Sequence, residues 1–130
     1  MNARIEINLA LAWLWILLGF LSGAILGLNF HREDWLGDYG SFARRLCRLG
    51  HISFFGLGVV NLLFYFTVRL LAISGSLLGW SSWGFVTGAV TMPICCFAIA
   101  FRPKLRLLFA VPILSLITGG LTMSWEMIKL

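Results

Sequence analysis

The sequence predicts an all-α integral membrane protein: an antiparallel bundle of four transmembrane helices with one short amphipathic cytoplasmic segment. Two observations lead to this fold class. Hydrophobic residues make up 60% of the 130-residue chain and charged residues only 12%, with a mean hydropathy of +0.94, whereas soluble domains are about one quarter charged. The apolar residues also lie in long uncharged blocks rather than at amphipathic spacing.

Four uncharged blocks set the order of the elements. They are Leu9–Leu28, Ile52–Val68, Leu70–Phe101 and Leu107–Trp125. A helix needs about 20 largely apolar residues to cross the hydrocarbon core of a bilayer, and the third block is long enough for one span and an uncharged turn. The chain is therefore predicted to form a single membrane domain, residues 1–130, with spans near 8–29, 50–71, 79–101 and 106–126 and a cytoplasmic loop at 30–49.

The first span has an alternative interpretation as a cleaved signal peptide, with Arg4 as its basic region. Its apolar stretch exceeds the usual length of roughly 7–15 residues. It also contains the bulky Trp13, Trp15 and Phe20, and no small-residue cleavage motif precedes Asn29. The span is therefore predicted to be retained.

The basic residues are distributed unevenly between the two membrane faces. Seven of the ten lie in the loops after spans one and three: Arg32, Arg44, Arg45, Arg48, Arg102, Lys104 and Arg106. An excess of Lys and Arg in short loops marks the cytoplasmic side. We therefore expect a multi-pass protein of the inner (cytoplasmic) or equivalent cell membrane, with both termini outside the cytoplasm. This orientation and contact with anionic lipid heads explain the net charge of +5, so no nucleic-acid partner is expected.

Small residues recur at helical spacing in the spans. Lipid offers no hydrophobic driving force between helices, so small residues that let backbones approach closely form the usual packing surface. The predicted helix-packing residues are Gly19, Gly23, Gly27, Gly58, Asn61, Gly84, Gly88 and Gly119. Their partner is either another span of this chain or another subunit.

Span two carries polar residues on one side. His51, Gly58 and Tyr65 are seven residues apart, and Asn61 lies near the middle of the membrane. Because a lipid-facing Asn or His is costly, this side is predicted to point into the bundle or into a partner. Asn61 is expected to hydrogen-bond across helices as a structural contact.

The loop between spans one and two is the most charged part of the chain. Ser41 is a plausible helix N-cap, and Phe42, Leu46 and Leu49 follow at helical spacing. This pattern predicts a short amphipathic segment at the membrane surface before span two. The acidic residues of the loop are near enough in sequence to pair with its arginines, and a solvated loop explains most of the charge.

Two histidines flank this loop. Span one ends near His31 and span two begins near His51, so both imidazoles are expected at the same membrane face. Two neutral imidazoles from neighbouring helices can hold a haem iron axially, and Gly50, Gly56 and Gly58 leave room for a flat macrocycle. The pair is therefore a candidate haem site, weighed against ordinary interfacial histidines in a loop.

Patterns for other chemistry are weak. Ser41, His51 and Asp38 have the residue types of a nucleophilic triad, but no glycine-flanked elbow accompanies them. The sequence has no metal-carboxylate cluster, phosphate loop or dinucleotide motif. We therefore predict no catalytic residues, no metal ligands beyond a haem iron, and no catalytic activity of the chain's own.

The spans have many small residues at helical spacing and few residues that could do chemistry. This combination favours a small polytopic membrane subunit, or an assembly or accessory factor, of a larger membrane complex. The chain would act through helix packing. Its expected partners are the lipid bilayer and other membrane subunits. The alternative is a haem-binding electron-transfer or sensing module with His31 and His51 as axial ligands. A small transporter or channel ranks third, and a membrane enzyme last.

Overall fold

A computed structural model describes the backbone of residues 3–130 and the side chains from Ile5 onward. Its helices are α1 (Ala3–Asn29), α2 (Phe42–Leu70), α3 (Leu78–Phe101) and α4 (Ala110–Ile128), with a 3-10 helix at Pro103–Phe109. No strand occurs within residues 3–130. Over the same residues, four helices are long and apolar enough to cross a membrane. The predicted fold class, an all-α four-helix membrane protein, is confirmed.

The third helix occupies the centre of the bundle. α1, α2 and α4 each pack against α3, and α1 also packs against α2. Among the described residues, no Cα atom of α4 comes within 8 Å of one in α1 or α2. Half of the most apolar part of α3 is buried, against 11% of the most apolar part of Pro103–Ile128, the segment that contains α4. The bundle is therefore open on the side of α4, which the sequence did not predict.

Successive helices run antiparallel. Asn8 near the start of α1 hydrogen-bonds Asn61 in the second half of α2, and Ser81 near the start of α3 contacts Thr122 near the end of α4. The bundle therefore has two ends. The loop face contains the end of α1, the start of α2 and the end of α3. The terminal face contains the opposite ends of those helices and the end of α4.

Two helix boundaries differ from the sequence prediction. α2 is continuous over 29 residues, about 43 Å at 1.5 Å per residue, whereas the hydrocarbon core is about 30 Å thick. The residues expected to form a separate amphipathic segment are its first turns, and they begin at the predicted N-cap, because the Ser41 hydroxyl accepts from the Arg44 N–H at 3.2 Å. α4 begins at Ala110 rather than near 106, because Pro103–Phe109 forms the 3-10 helix.

Glycines let α3 and α4 approach backbone to backbone. A Cβ added at Gly84 would lie 2.7 Å from the carbonyl oxygen of Ser115 and 2.8 Å from the Cα of Gly119. One added at Gly119 would lie 3.1 Å from the backbone nitrogen of Phe85. The Leu116 side chain covers the adjacent Gly88 in the same interface. The small residues of spans three and four therefore pack against each other within the chain.

The interface between α1 and α2 is also tight. Three glycines have little room for a Cβ because the other helix covers them: Gly19 (by Phe55), Gly23 (by His51) and Gly58 (by Ala12 and Trp15). By contrast, a Cβ at Gly27 would have no heavy atom within 4 Å. Of the three equally spaced glycines of span one, Gly19 and Gly23 therefore lie in the contact with α2 and Gly27 does not.

Candidate functional site

Arg44 joins the start of α2 to the end of α1. Its side chain is buried, with 3% of the residue exposed. One terminal nitrogen donates to the carbonyl oxygens of Asn29, Phe30 and Arg32 at 3.4, 3.4 and 2.7 Å. The last carbonyls of a helix lack partners within the helix and carry a partial negative charge. The guanidinium of Arg44 therefore caps α1 and ties it to α2.

The other charges of the loop face are arranged differently from the sequence expectation. Rather than pairing with an acidic residue of the loop, Arg44 bonds to backbone carbonyls. Arg48 covers the ring of Tyr39 at 4.6 Å from its centroid. Asp34 pairs with Arg32 at 3.8 Å, and both side chains are exposed. An exposed pair of this kind contributes little to stability, so Arg44 is the structurally important arginine.

The loop before α2 folds back over the helix ends. Leu36 and Gly37 both have positive φ angles, 56° and 82°, a conformation that favours glycine and is uncommon for leucine. The Ser41 hydroxyl donates to the Leu36 carbonyl at 2.6 Å and fixes this turn. As a result, the side chains of Trp35 and Leu36 pack against the buried Cys47 of α2 and its neighbours.

A cavity of about 360 Å³ lies beneath this loop, among α1, α2 and α3. Its lining is almost entirely apolar: Ser22, Ile25, Leu26, Trp35, Leu36, Cys47, Phe97 and Phe101. Ligand pockets in proteins occupy about 300–1,000 Å³, so this cavity falls at the lower end of that range. The sequence did not predict it, because three helices and the folded loop form it together.

His51 lies in the interface between α1 and α2 and is half-buried. Its Nδ1 is 2.9 Å from the hydroxyl of Ser22. Its ring meets Phe55 edge-on, with ring centroids 5.6 Å apart. A Cβ on Gly23 would lie 2.8 Å from Cε1 of the imidazole. Gly23 therefore provides the space that the imidazole occupies against α1.

His31 lies apart from His51, exposed in the loop beyond α1. Gly23, which faces His51, precedes Asn29 at the end of α1 by six residues, or about 9 Å along the helix axis. The structure thus places His51 in the interface between α1 and α2 and His31 in the exposed turn that follows α1. The haem site at these two histidines stays a prediction.

A buried polar network joins α1, α2 and α3 in the half of the bundle nearer the terminal face. Asn8 and Asn61 are fully buried, and the Asn8 amide donates to the Asn61 side-chain oxygen at 2.8 Å. Ser82 donates to the Asn8 side-chain oxygen at 2.6 Å. Asn61 in turn donates to the carbonyls of Leu57 and Phe85. Because both amides use their donors and acceptors, the network holds three helices together.

Trp15 satisfies a carbonyl that a proline leaves free. In a regular helix the carbonyl of Ala89 would accept from the backbone N–H of residue 93, but Pro93 has none. The indole N–H of the buried Trp15 donates to this carbonyl at 2.9 Å. Side chains of neighbouring helices commonly satisfy such groups in membranes. Pro93 thus provides the acceptor that joins α3 to α1.

A carbonyl just before α4 provides an acceptor for α3. It belongs to Leu108 in the 3-10 helix, where it also accepts from the backbone N–H of Ala110. The Cys95 thiol donates to that carbonyl at 3.4 Å. Cys95 is buried and free, as are Cys47 and Cys96. Its thiol therefore helps to hold α3 against the start of α4.

Glu126 caps α3 at the terminal face. Only 4% of the residue is exposed, and its carboxylate accepts from the backbone N–H of Leu77 at 3.0 Å. Lys129 lies 3.7 Å from the same carboxylate. The first N–H groups of a helix are unpaired and carry a partial positive charge. The end of α4 is therefore fixed to the start of α3, and Gly75 leaves space for the carboxylate.

Several side chains that hold the helices together were not predicted as site residues, among them Asn8, Arg44 and Trp15. Asn8 immediately precedes the first uncharged block, a position typical of the membrane interface. What could have indicated Asn8 is Asn61, because an asparagine in the middle of a span needs a polar partner in lipid. The signal for Trp15 was an indole deep in one span together with a proline in another.

The polar groups of the bundle interior act between helices. Arg44 and Glu126 cap helix ends, Asn8 and Asn61 join α1 to α2, and Trp15 joins α1 to α3. Such bonds, with close backbone packing, hold helices together in lipid. No protein-family model, no curated protein and no solved structure matches the chain.

Proposed function

We propose that this chain is a small polytopic subunit, or an assembly or accessory factor, of a larger membrane complex, and that it packs against transmembrane helices of other subunits. The observation that carries the proposal is a groove of about 300 Å³ on the outer side of α3 and α4. Its lining residues are Trp80, Trp83, Gly84, Thr87, Leu114, Ser115 and Thr118.

The lining of this outer groove suits a helix of another protein. Gly84 and Ser115 lie at its floor, where α3 and α4 already contact each other. Trp80 and Trp83 are 67% and 53% exposed at its edge. Van der Waals packing and hydroxyls that bond across helices, here from Thr87 and Thr118, are interactions that drive association in lipid. α4 is also the least covered helix of the bundle.

The proposal is tested by photo-crosslinking in native membranes. A photoreactive phenylalanine analogue at Thr118, in the outer groove, is expected to give a product that contains a second membrane protein. The matched control is the same analogue at Ile113, which is on α4 and 46% exposed but does not line the groove. Its yield of that product is expected to be at least several-fold lower.

The two remaining outcomes of crosslinking contradict the proposal. One is that Thr118 gives only lipid adducts. The other is that both positions give the same products in equal amounts, which would mean that no specific helix lies in the outer groove. Mass spectrometry of the crosslinked bands distinguishes these outcomes.

We further propose that the loop face lies in the cytoplasm and that both termini lie outside it. The support is the uneven distribution of charge: seven of the ten basic residues belong to the segments 31–51 and 102–106, and both segments are at the loop face. A reporter that is active only outside the cytoplasm is expected to be active when fused after Leu130 and inactive when inserted at Gly40. The reverse pattern would overturn this orientation.

A further inference from the structure

We propose that the cavity beneath the loop binds one acyl chain of an anionic phospholipid, and that Arg44 holds the phosphate of this lipid at the loop face. This inference is independent of the outer groove, which lies near the start of α3 rather than its end and is lined by different residues. Its occupant is a lipid molecule rather than a protein helix.

The walls of the cavity are suited to a hydrocarbon chain. Seven of its eight lining residues are apolar or, like Trp35 and Cys47, only weakly polar. The eighth is Ser22, whose hydroxyl is already hydrogen-bonded to His51 and the Gly19 carbonyl. Ile25 and Phe101 line the cavity and are 60% and 66% exposed. The cavity therefore opens towards the side where the bilayer surrounds α1 and α3.

One donor of the Arg44 guanidinium, its Nε, is buried near two of the residues that line the cavity and lacks a hydrogen-bond partner among the described residues. Arg44 precedes the cavity-lining Cys47 by about one helical turn, and its guanidinium lies over the ring of Trp35, another lining residue, at 5.8 Å. A buried charged donor without a partner is costly. A phosphate oxygen is the acceptor that a guanidinium binds particularly well.

Two more basic residues lie close in sequence to the cavity-lining Phe101. Arg102 directly follows Phe101, and both Arg102 and Lys104 are exposed at the loop face. An anionic headgroup would thus meet positive charge from α2 on one side and from the end of α3 on the other. Basic pockets between helices at the cytoplasmic surface are typical sites for anionic lipid heads.

The charge of the headgroup is expected to determine which phospholipid binds. An acyl chain that enters the cavity leaves an equally apolar bilayer, so its insertion provides little net driving force. A lipid with the same chains and a zwitterionic head lacks the net charge that Arg44, Arg102 and Lys104 favour. Phosphatidylglycerol and phosphatidylcholine both carry a phosphate, but phosphatidylcholine adds a choline cation that these three basic residues repel. We therefore expect phosphatidylglycerol to bind at least about tenfold more tightly than phosphatidylcholine.

The test uses the full chain, delipidated in a neutral detergent and titrated with each lipid, with bound lipid measured by native mass spectrometry. Ile25→Trp fills the cavity from an exposed position and is expected to weaken phosphatidylglycerol binding at least about tenfold. The matched control, Leu21→Trp, changes another exposed side chain of α1, which does not line the cavity. It is expected to bind phosphatidylglycerol like the wild type.

Three results would overturn the proposal. The first is equal affinity for phosphatidylglycerol and phosphatidylcholine. The second is equal affinity of the Ile25→Trp and Leu21→Trp variants for phosphatidylglycerol. The third is displacement of the lipid by millimolar inorganic phosphate, which would assign the Arg44 site to a free anion.

A conservative change at Arg44 tests its role without removing the charge. Arg44→Lys retains a cation that can cap α1 but removes the Nε donor and the planar guanidinium. We expect about tenfold weaker binding of phosphatidylglycerol, and a similar proportional loss for phosphatidylcholine because it carries the same phosphate. Circular dichroism of the same sample shows whether the helices remain folded. A folded Arg44→Lys variant with wild-type affinity for phosphatidylglycerol would contradict the role of Arg44.

Discussion

Replacing Gly84 with leucine is expected to destabilise the bundle by about 3 kcal/mol or more, the upper end of the usual cost of overpacking. The reason is the kind of atom that the new side chain meets. A Cβ at this position would lie 2.7 Å from the carbonyl oxygen of Ser115 and 2.8 Å from the Cα of Gly119. These are backbone atoms of α4, so relief requires the two helices to move apart. α4 has few other contacts to hold it, because its close backbone contacts are with α3 and the 3-10 helix.

The matched control for this change is Gly120→Leu, in which the same substitution is made on α4. A Cβ at Gly120 would have no heavy atom within 4 Å. Replacing a glycine in a helix interior also raises the free energy of unfolding by about 0.5–1 kcal/mol. Unfolding of both variants in increasing sodium dodecyl sulfate, followed by circular dichroism, measures the difference. Equal midpoints for the two leucine variants would show that Gly84 does not lie in a backbone contact.

These glycines show what spacing predicts and what it does not. Four-residue spacing identifies the small side of a helix, because residues four apart lie on one face. Gly23 and Gly27 follow the same spacing, yet Gly23 is covered by His51 and Gly27 faces open space. The difference depends on the position of α2, which comes from the packing of the whole bundle. Sequence alone could not distinguish the two.

The membrane fold itself was predictable, because it depends on local properties. The uncharged blocks set the number of helices, and their length is close to what a bilayer requires. The central position of α3 depends instead on contacts between residues far apart in sequence. One example is the Trp15 bond to the carbonyl that Pro93 leaves free. No local pattern indicates which helix will supply such a donor.

The charged loop illustrates the same limit at the candidate site. Its composition predicts a solvated segment, and most of its residues are exposed. Among its charged residues, Arg44 is the buried one, since it is 3% exposed and bonds to three carbonyls of the chain that leaves α1. Burial of one arginine among several cannot be deduced from their spacing. The same holds for the two histidines that flank the loop, since His31 lies in the turn after α1 and His51 lies within α2.

Replacing Asn8 and Asn61 with leucine, singly and together, is expected to show that the two amides act as a unit. Each single change leaves the other buried amide without its partner across the interface, and an unsatisfied buried polar group costs about 1–3 kcal/mol. The two side chains are fully buried and 2.8 Å apart, so water cannot easily replace the missing partner. The double variant removes both amides and fills the space with apolar groups of similar shape. Its loss should therefore be smaller than the sum of the two single losses.

The coupling is measured with a double-mutant cycle from the unfolding midpoints of the wild type, both single variants and the double variant. Coupling energies of interhelical hydrogen bonds in lipid are about 0.6 kcal/mol on average and reach about 1.7 kcal/mol. We expect a value in the upper part of this range, because Ser82 also bonds to Asn8 and Asn61 bonds to two carbonyls. Thr67→Val is the control, since Thr67 bonds only to the Leu63 carbonyl of its own helix and should leave stability nearly unchanged. Strictly additive losses for Asn8 and Asn61 would mean that the two amides do not depend on each other, and that the network does not determine how α1 and α2 are held.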